Sequence, residues 1–161
     1  MTDVSDSGKQ ESVSSQQGAL SEEECRYSGI DGTNEDQLLG FLQMCIERRF
    51  HQAIRKCFQD KTGLKETEYW INADVGGSPR MEYQAQAADY CYKKEVEFMG
   101  WSAHGSTCGG FRSGESNAFI LEALRKTLEN KVVEYPGVEH HGFFATEGEG
   151  PGEVIVLHIR P

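Results

Sequence analysis

The chain contains no apolar run approaching the roughly 18 residues that a membrane-crossing helix needs. Nor does a basic start lead into an apolar core, the pattern of a secretory leader. Neither a membrane partner nor export is expected. Basic charge is scarce: 16 Lys and Arg stand against 26 Asp and Glu, a net charge of -10 with no basic stripe to offset it. Nucleic acid and anionic lipid would both repel such a surface. A cysteine framework is missing as well. The five cysteines (Cys25, Cys45, Cys57, Cys91 and Cys108) are odd in number and irregularly spaced, which suits reduced thiols in a cytoplasmic protein rather than a disulfide scaffold.

What is present begins with a polar arm. Residues 1–30 are rich in Ser, Gln, Glu and Asp, with too little to bury to offset their ordering entropy, so a disordered acidic tail is expected there. Residues 31–161 have the length and apolar content of a single α/β domain. Asn34-Glu35-Asp36-Gln37 carries the cap, early acids and capping-box glutamine of a helix start. Apolar residues then recur at Leu39, Leu42, Ile46, Phe50, Ala53 and Cys57 up to Gly63. This spacing predicts a long N-terminal amphipathic helix, with His51 on its exposed side.

Residues 68–73 are dense in strand formers and end at Asp74-Val75-Gly76-Gly77, where Ser78-Pro79 offers a helix entry. A helix with Tyr83, Ala87, Tyr90 and Cys91 on one face follows, and then the apolar run 96–101. This is a βαβ unit, whose two parallel strands finish on one edge. Ser116 or Asn117 caps a further helix through Ile120, Leu124, Leu128 and Val132, stopped by Tyr135-Pro136-Gly137. Residues 138–145 and 153–159 read as a C-terminal β-hairpin joined by a glycine-rich turn. The fold expected is a small mixed sheet of about four strands with a βαβ core.

Chemistry concentrates in Trp101-Ser102-Ala103-His104-Gly105-Ser106-Thr107-Cys108-Gly109-Gly110-Phe111. An imidazole and a thiol four positions apart in a glycine loop at a strand end suit two tasks. They form one edge of a zinc site, which needs a third ligand, or a base beside a thiol nucleophile, Cys108 with His104. Candidates for the third ligand are Asp74, at the other strand end, Cys25, His140 and His141. On a strand, His140 and His141 point to opposite faces, one packed and one solvated. Arg80 is a candidate to hold an anion.

The same run resembles the strand-then-loop of β-class carbonic anhydrases, where a histidine and a cysteine preceding glycine bind zinc. Ile71-Asn72-Ala73-Asp74-Val75-Gly76-Gly77 is similar to that family's Asn-Ala-Gly strand end, and Val138-Glu139-His140-His141-Gly142-Phe143 to its closing Val-His-Gly strand. The likeness spans residues 68 to 158. It departs in placing three residues rather than two between His104 and Cys108, and in lacking a Cys-x-Asp-x-Arg run, of which Gly29-Ile30-Asp31-Gly32-Thr33 keeps only the aspartate. A second stretch, Phe98 to Gly105, is similar to the His-Gly strand of caspase-like cysteine proteases, but the next strand offers no cysteine.

The first resemblance implies a zinc-dependent lyase or hydrolase acting on a small-molecule substrate through metal-bound hydroxide. His104, Cys108 and Asp74 would be its metal and catalytic residues. The alternatives are a non-catalytic interaction domain of the same fold and the thiol enzyme. Self-pairing of the long helix into a homodimer is compatible with the pattern.

Overall fold

The structure, a computed structural model, describes residues 20–29, 35–79, 86–105 and 116–161. Met1–Gly32 and Thr33–Pro161 are separate units. In the first, residues 20–29 are exposed and carry no helix or strand, and Arg26 pairs with Glu24. In the second, a five-stranded sheet runs in the order β2-β1-β3-β4-β5. Its strands are β1 (Gly40–Cys45), β2 (Tyr69–Asp74), β3 (Phe98–His104), β4 (Glu139–Glu147) and β5 (Val154–Ile159). The first four are mutually parallel, and β5 returns antiparallel to β4 as the expected hairpin.

The helices are α1 (His51–Thr62), α2 (Gln86–Lys93) and α3 (Asn117–Glu134). Ile54 and Phe58 of α1 enter one apolar layer with Leu42, Met44 and Phe143. Ala88 and Cys91 of α2, with Ile120, Leu124 and Leu128 of α3, enter another with Phe41, Trp101 and Phe144. The sheet is thus covered on both faces, as parallel strands require. No helix among the described residues is long and apolar enough to cross a membrane.

The long N-terminal helix is where sequence and structure part. Its first half is β1, all six residues of which are buried, and only its second half is helical. A strand buried on both faces shows an unbroken apolar run, which periodicity alone cannot tell from a helix. Gly40 lets the strand pack closely, because a Cβ there would stand 2.6 Å from Leu64 Cδ1 and 3.1 Å from Tyr69 Cβ. This strand raises the count from four to five, and it lies between β2 and β3, so the two strands of the expected βαβ unit share an edge without being neighbours.

The helix ends follow local chemistry. Gly63 ends α1 in the left-handed region (φ 79°), returning its N–H to the Gln59 carbonyl at 2.8 Å. The Ser116 hydroxyl caps α3 by accepting from the Phe119 N–H at 3.1 Å. The helix entry expected at Ser78-Pro79 leads into residues 80–85, which are outside the described residues together with Arg80 and Tyr83.

Candidate functional site

Going from β1 to β2 the chain moves one way along the sheet, and from β2 to β3 it crosses back over β1. The connections leave β1 and β3 in opposite directions, the topological switch point at whose carboxyl ends ligands bind in open α/β sheets. The residues that end these two strands are Cys45 and His104.

His104 is 1% exposed. Its Nδ1 lies 2.9 Å from the Gly105 carbonyl oxygen. An imidazole nitrogen facing a carbonyl carries a proton, so in the neutral ring Nε2 keeps the lone pair, the state in which imidazole binds a metal. Nε2 is buried and meets no partner in hydrogen-bonding geometry, while the Cys45 side chain stands close enough to act on the ring. The nearest carboxylate oxygen paired with it is Glu47 Oε2, at 3.9 Å. Phe50 walls the ring at 5.0 Å between centroids. Burial works to lower the His104 pKa, but the Cys45 side chain, the Gly105 carbonyl and the Glu47 carboxylate outweigh it and raise the group above its ordinary value.

Glu47 is held from its own turn. Its Oε1 accepts the Arg49 N–H at 2.7 Å, and its Oε2 lies 3.4 Å from Arg49 Nε. Oε2 is buried without a hydrogen bond. The Arg49 Nη1 donates instead to Glu147 Oε2, the last residue of β4, at 2.8 Å. His51, expected on an exposed surface, is half-buried, and its Nε2 meets the Cys45 carbonyl oxygen at 2.5 Å. It ties the start of α1 to the end of β1.

Asp74 ends β2 in register with Cys45. Its Oδ2 accepts from Asn72 Nδ2 at 2.6 Å and Gln43 Nε2 at 3.4 Å, while Asn72 also donates to Gln43 Oε1 at 2.9 Å. Gln43 is fully buried, and this amide–carboxylate layer satisfies it. Asp74 is thereby one strand farther from His104 than Cys45 is. Next to it, Gly77 (φ 63°) lets the loop lie against β3, since a Cβ would meet the Ser102 carbonyl at 2.6 Å. Ser78 Oγ accepts the Ser102 N–H there at 2.7 Å.

The other histidines are elsewhere. His140 and His141 begin β4, pairing with Met99 and Gly100 near the opposite end of β3 from His104. Both are buried rather than one being solvated, because the sheet is covered on both faces. His140 uses both nitrogens, accepting from Trp101 Nε1 at 3.0 Å and donating to the Tyr135 carbonyl at 2.8 Å. His158 Nε2 and His141 Nδ1 are 2.8 Å apart, and His141 Nε2 lies 2.6 Å from Glu139 Oε2. Cys25 is exposed in the N-terminal unit. Cys108, with all of residues 106–115, falls outside the described residues. Among the described residues no three His, Cys, Asp or Glu side chains converge as a metal would require; His104 and Cys45 offer two donors of the right chemistry.

Sequence reasoning missed Cys45, Glu47 and Arg49. A signal was available, for Cys45-Ile46-Glu47-Arg48-Arg49 keeps the Cys-x-Asp-x-Arg spacing with glutamate in place of aspartate. Placed inside a helix, it could not register as a strand end followed by a turn.

No family model and no curated protein matches this chain. Two solved structures are similar in part. One, from crystal structures of two tetrameric β-carbonic anhydrases of the filamentous ascomycete Sordaria macrospora, is 16% identical with a TM-score of 0.42, over 78% of this chain and 82% of that one. The other, β-carbonic anhydrase isoform I of the protozoan Trichomonas vaginalis, is 15% identical with a TM-score of 0.44, over 80% of this chain and 87% of that one.

Proposed function

We propose that this protein is a divergent metalloprotein of β-carbonic-anhydrase-like type, a zinc-dependent lyase or hydrolase for a small electrophilic substrate. The reading is carried by one observation: His104 is buried, with Nδ1 engaged by a carbonyl and Nε2 meeting no partner in hydrogen-bonding geometry, at the strand ends where Cys45 and Glu47 also lie. A buried imidazole nitrogen left unsatisfied is costly unless a ligand completes it.

His104 and Cys45 would hold the ion together with Cys108, the soft donor that the sequence places four residues beyond His104. Bound there, zinc supplies the Lewis acidity that makes water a nucleophile near neutral pH. The chain's own groups do the rest. The Gly105 carbonyl fixes the His104 tautomer, Phe50 excludes solvent from the ring, and Glu47 stands ready to take a proton at Oε2. Arg49 restrains Glu47 in that position. Asp74, with its hydrogen bonds to Asn72 and Gln43, forms the neighbouring wall and orients polar groups along it.

Elemental analysis of the purified full chain tests this reading. One zinc per chain, lost in Cys45→Ser, His104→Ala and Cys108→Ser while Asp74→Asn retains it, is the expected result. A folded, metal-free protein overturns it and leaves a non-catalytic binding domain. Rapid selective alkylation of Cys108 near neutral pH in that metal-free protein would point to the thiol enzyme.

A further inference from the structure

A sheet covered on both faces still has two edges, and here they differ in composition. β2, at one edge, carries Asn72 and Asp74, which are held in the polar layer with Gln43. β5, at the other, runs Val154-Ile155-Val156-Leu157-His158-Ile159, with no proline, lysine or acid to blunt it. Val154 and Val156 pack against the layer that holds Phe143. Ile155 and Leu157 lie on the opposite face and are 52% and 43% exposed. Such an apolar run belongs to a strand buried on both faces, yet one face of β5 is bare. Among the described residues β4 alone pairs with it.

The backbone is equally unfinished. The Gly148 N–H donates to the Glu153 carbonyl at 2.7 Å. Antiparallel pairing alternates, so Ile155, Leu157 and Ile159 also turn their N–H and C=O groups toward β4. Val154, Val156 and His158 turn theirs to the open edge. We propose that this edge is the contact between two copies of the chain, paired antiparallel about a two-fold axis at Val156 so that the two sheets become one. Such an axis stands perpendicular to the sheet and keeps each face on its own side. Val156 then meets its own counterpart, and Val154 meets His158 of the second copy, each pair exchanging both backbone hydrogen bonds. Ile155 falls opposite Leu157 of the second copy in the closer, non-hydrogen-bonded positions, so the exposed apolar side chains cover each other. The strand carries no carboxylate or ammonium, which lets copies of a chain of net charge -10 meet without like charges at the axis.

The proposal uses no residue of the metal site and stands whether or not that reading does. Sedimentation of the full chain over a dilution series tests it. The unaltered chain should sediment at twice the mass of one chain and dissociate on dilution. Ile155→Lys with Leu157→Lys, both at exposed positions, should lose the dimer while keeping the far-ultraviolet circular dichroism of the unaltered protein. Ile71→Lys, at the β2 edge, should retain it. A chain that is monomeric throughout overturns the proposal, as does a dimer that survives the paired substitution or that Ile71→Lys abolishes.

Cross-linking needs no charged substitution and reads the register. Ile155→Cys and Leu157→Cys are made separately in a Cys25→Ser background. Opposite Cα atoms about 4.5 Å apart admit a disulfide, while like positions, out of step by two residues, exceed its limit of roughly 7 Å. Mild oxidation of the two proteins mixed should therefore give covalent dimer, and either one oxidised alone should give no more than the Cys25→Ser parent. Covalent dimer no greater in the mixture than in either protein alone rules the pairing out.

Discussion

Acid should destabilise this fold well before its carboxylates titrate, and the cause is a pair of stacked imidazoles between the last two strands. His141 on β4 is fully buried, and His158 on β5 is half-buried against it, with ring centroids 5.1 Å apart. A carboxylate accepts, so His141 Nε2–H donates to Glu139 and His141 Nδ1 must accept from His158 Nε2–H. Both rings are neutral in this chain of donors. An added proton on His158 would be poorly solvated and would face His141, Arg160 and Lys61; burial first, then these groups, depresses its pKa to about 4. His141 is also lowered, by burial first, partly offset by Glu139, and His140 is lowered by burial.

The sign follows from linkage. The unfolded chain takes up protons near the ordinary histidine value, and the folded chain resists until lower pH. These groups therefore contribute stability above about pH 6.5, lost as pH falls toward 4. A shift from 6.5 to about 4 corresponds to about 2 kcal/mol lost between pH 7 and 5 for one fully shielded group, and to roughly 1 kcal/mol once the solvent-screened part of His158 is discounted. Urea titrations of the full chain at pH 7 and pH 5, compared with His158→Gln, measure it. Gln keeps an amide donor for His141 but does not titrate, so its loss over the same interval should be smaller by about that amount. Equal losses in the two proteins would refute the reasoning. His104 has the opposite sign: its raised pKa gives stability that is present below its ordinary value and lost as pH rises through the folded one.

Three further changes have outcomes set by named contacts. Gly77→Ala combines left-handed strain with a Cβ 2.6 Å from the Ser102 backbone carbonyl; it should cost about 2 kcal/mol or more by urea titration. Gly63→Ala has the same sign of φ and open space around the added carbon, so it should cost only about 1–2 kcal/mol by the same titration. Trp101→Phe removes the buried donor to His140 Nδ1, and denaturation should record a loss of about 1–3 kcal/mol from the unsatisfied acceptor, with a small cavity adding to it.

The parts of the fold written in local chemistry could be read from residues alone. Ser116 and the Tyr135-Pro136-Gly137 stop bracket α3, and the glycine-rich turn between β4 and β5 gives their hairpin. Such caps and turns satisfy particular backbone groups or φ angles, so they depend on their neighbours and little else. Burial on the second face of a sheet is not local. Nothing near His141 announces that α1 will cover it, and an alternating in-and-out reading of His140 and His141 fails for that reason. The pairing of β1 between β2 and β3 is equally remote, being settled by strands 29 and 58 residues away in register.

That remoteness also hid the candidate site. Read as a helix, Cys45 and Arg49 are neighbours on one face, four apart, and Glu47 lies on another face among solvated charges. Read as a strand that ends at Cys45, the same five residues deliver a thiol, a carboxylate and a guanidinium to one turn at the carboxyl edge of the sheet. The strand order then brings His104 beside them from β3, and no other element of the described sheet ends between the two. One misassigned element thus accounts for the fifth strand, the displaced neighbour and the missing acid together. Asp74 drew attention because it closes the strand before the helix that leads to His104; with β1 inserted between them, Glu47 is the acid that comes within 3.9 Å of His104 among the described residues, and the chemical reading turns on its buried oxygen.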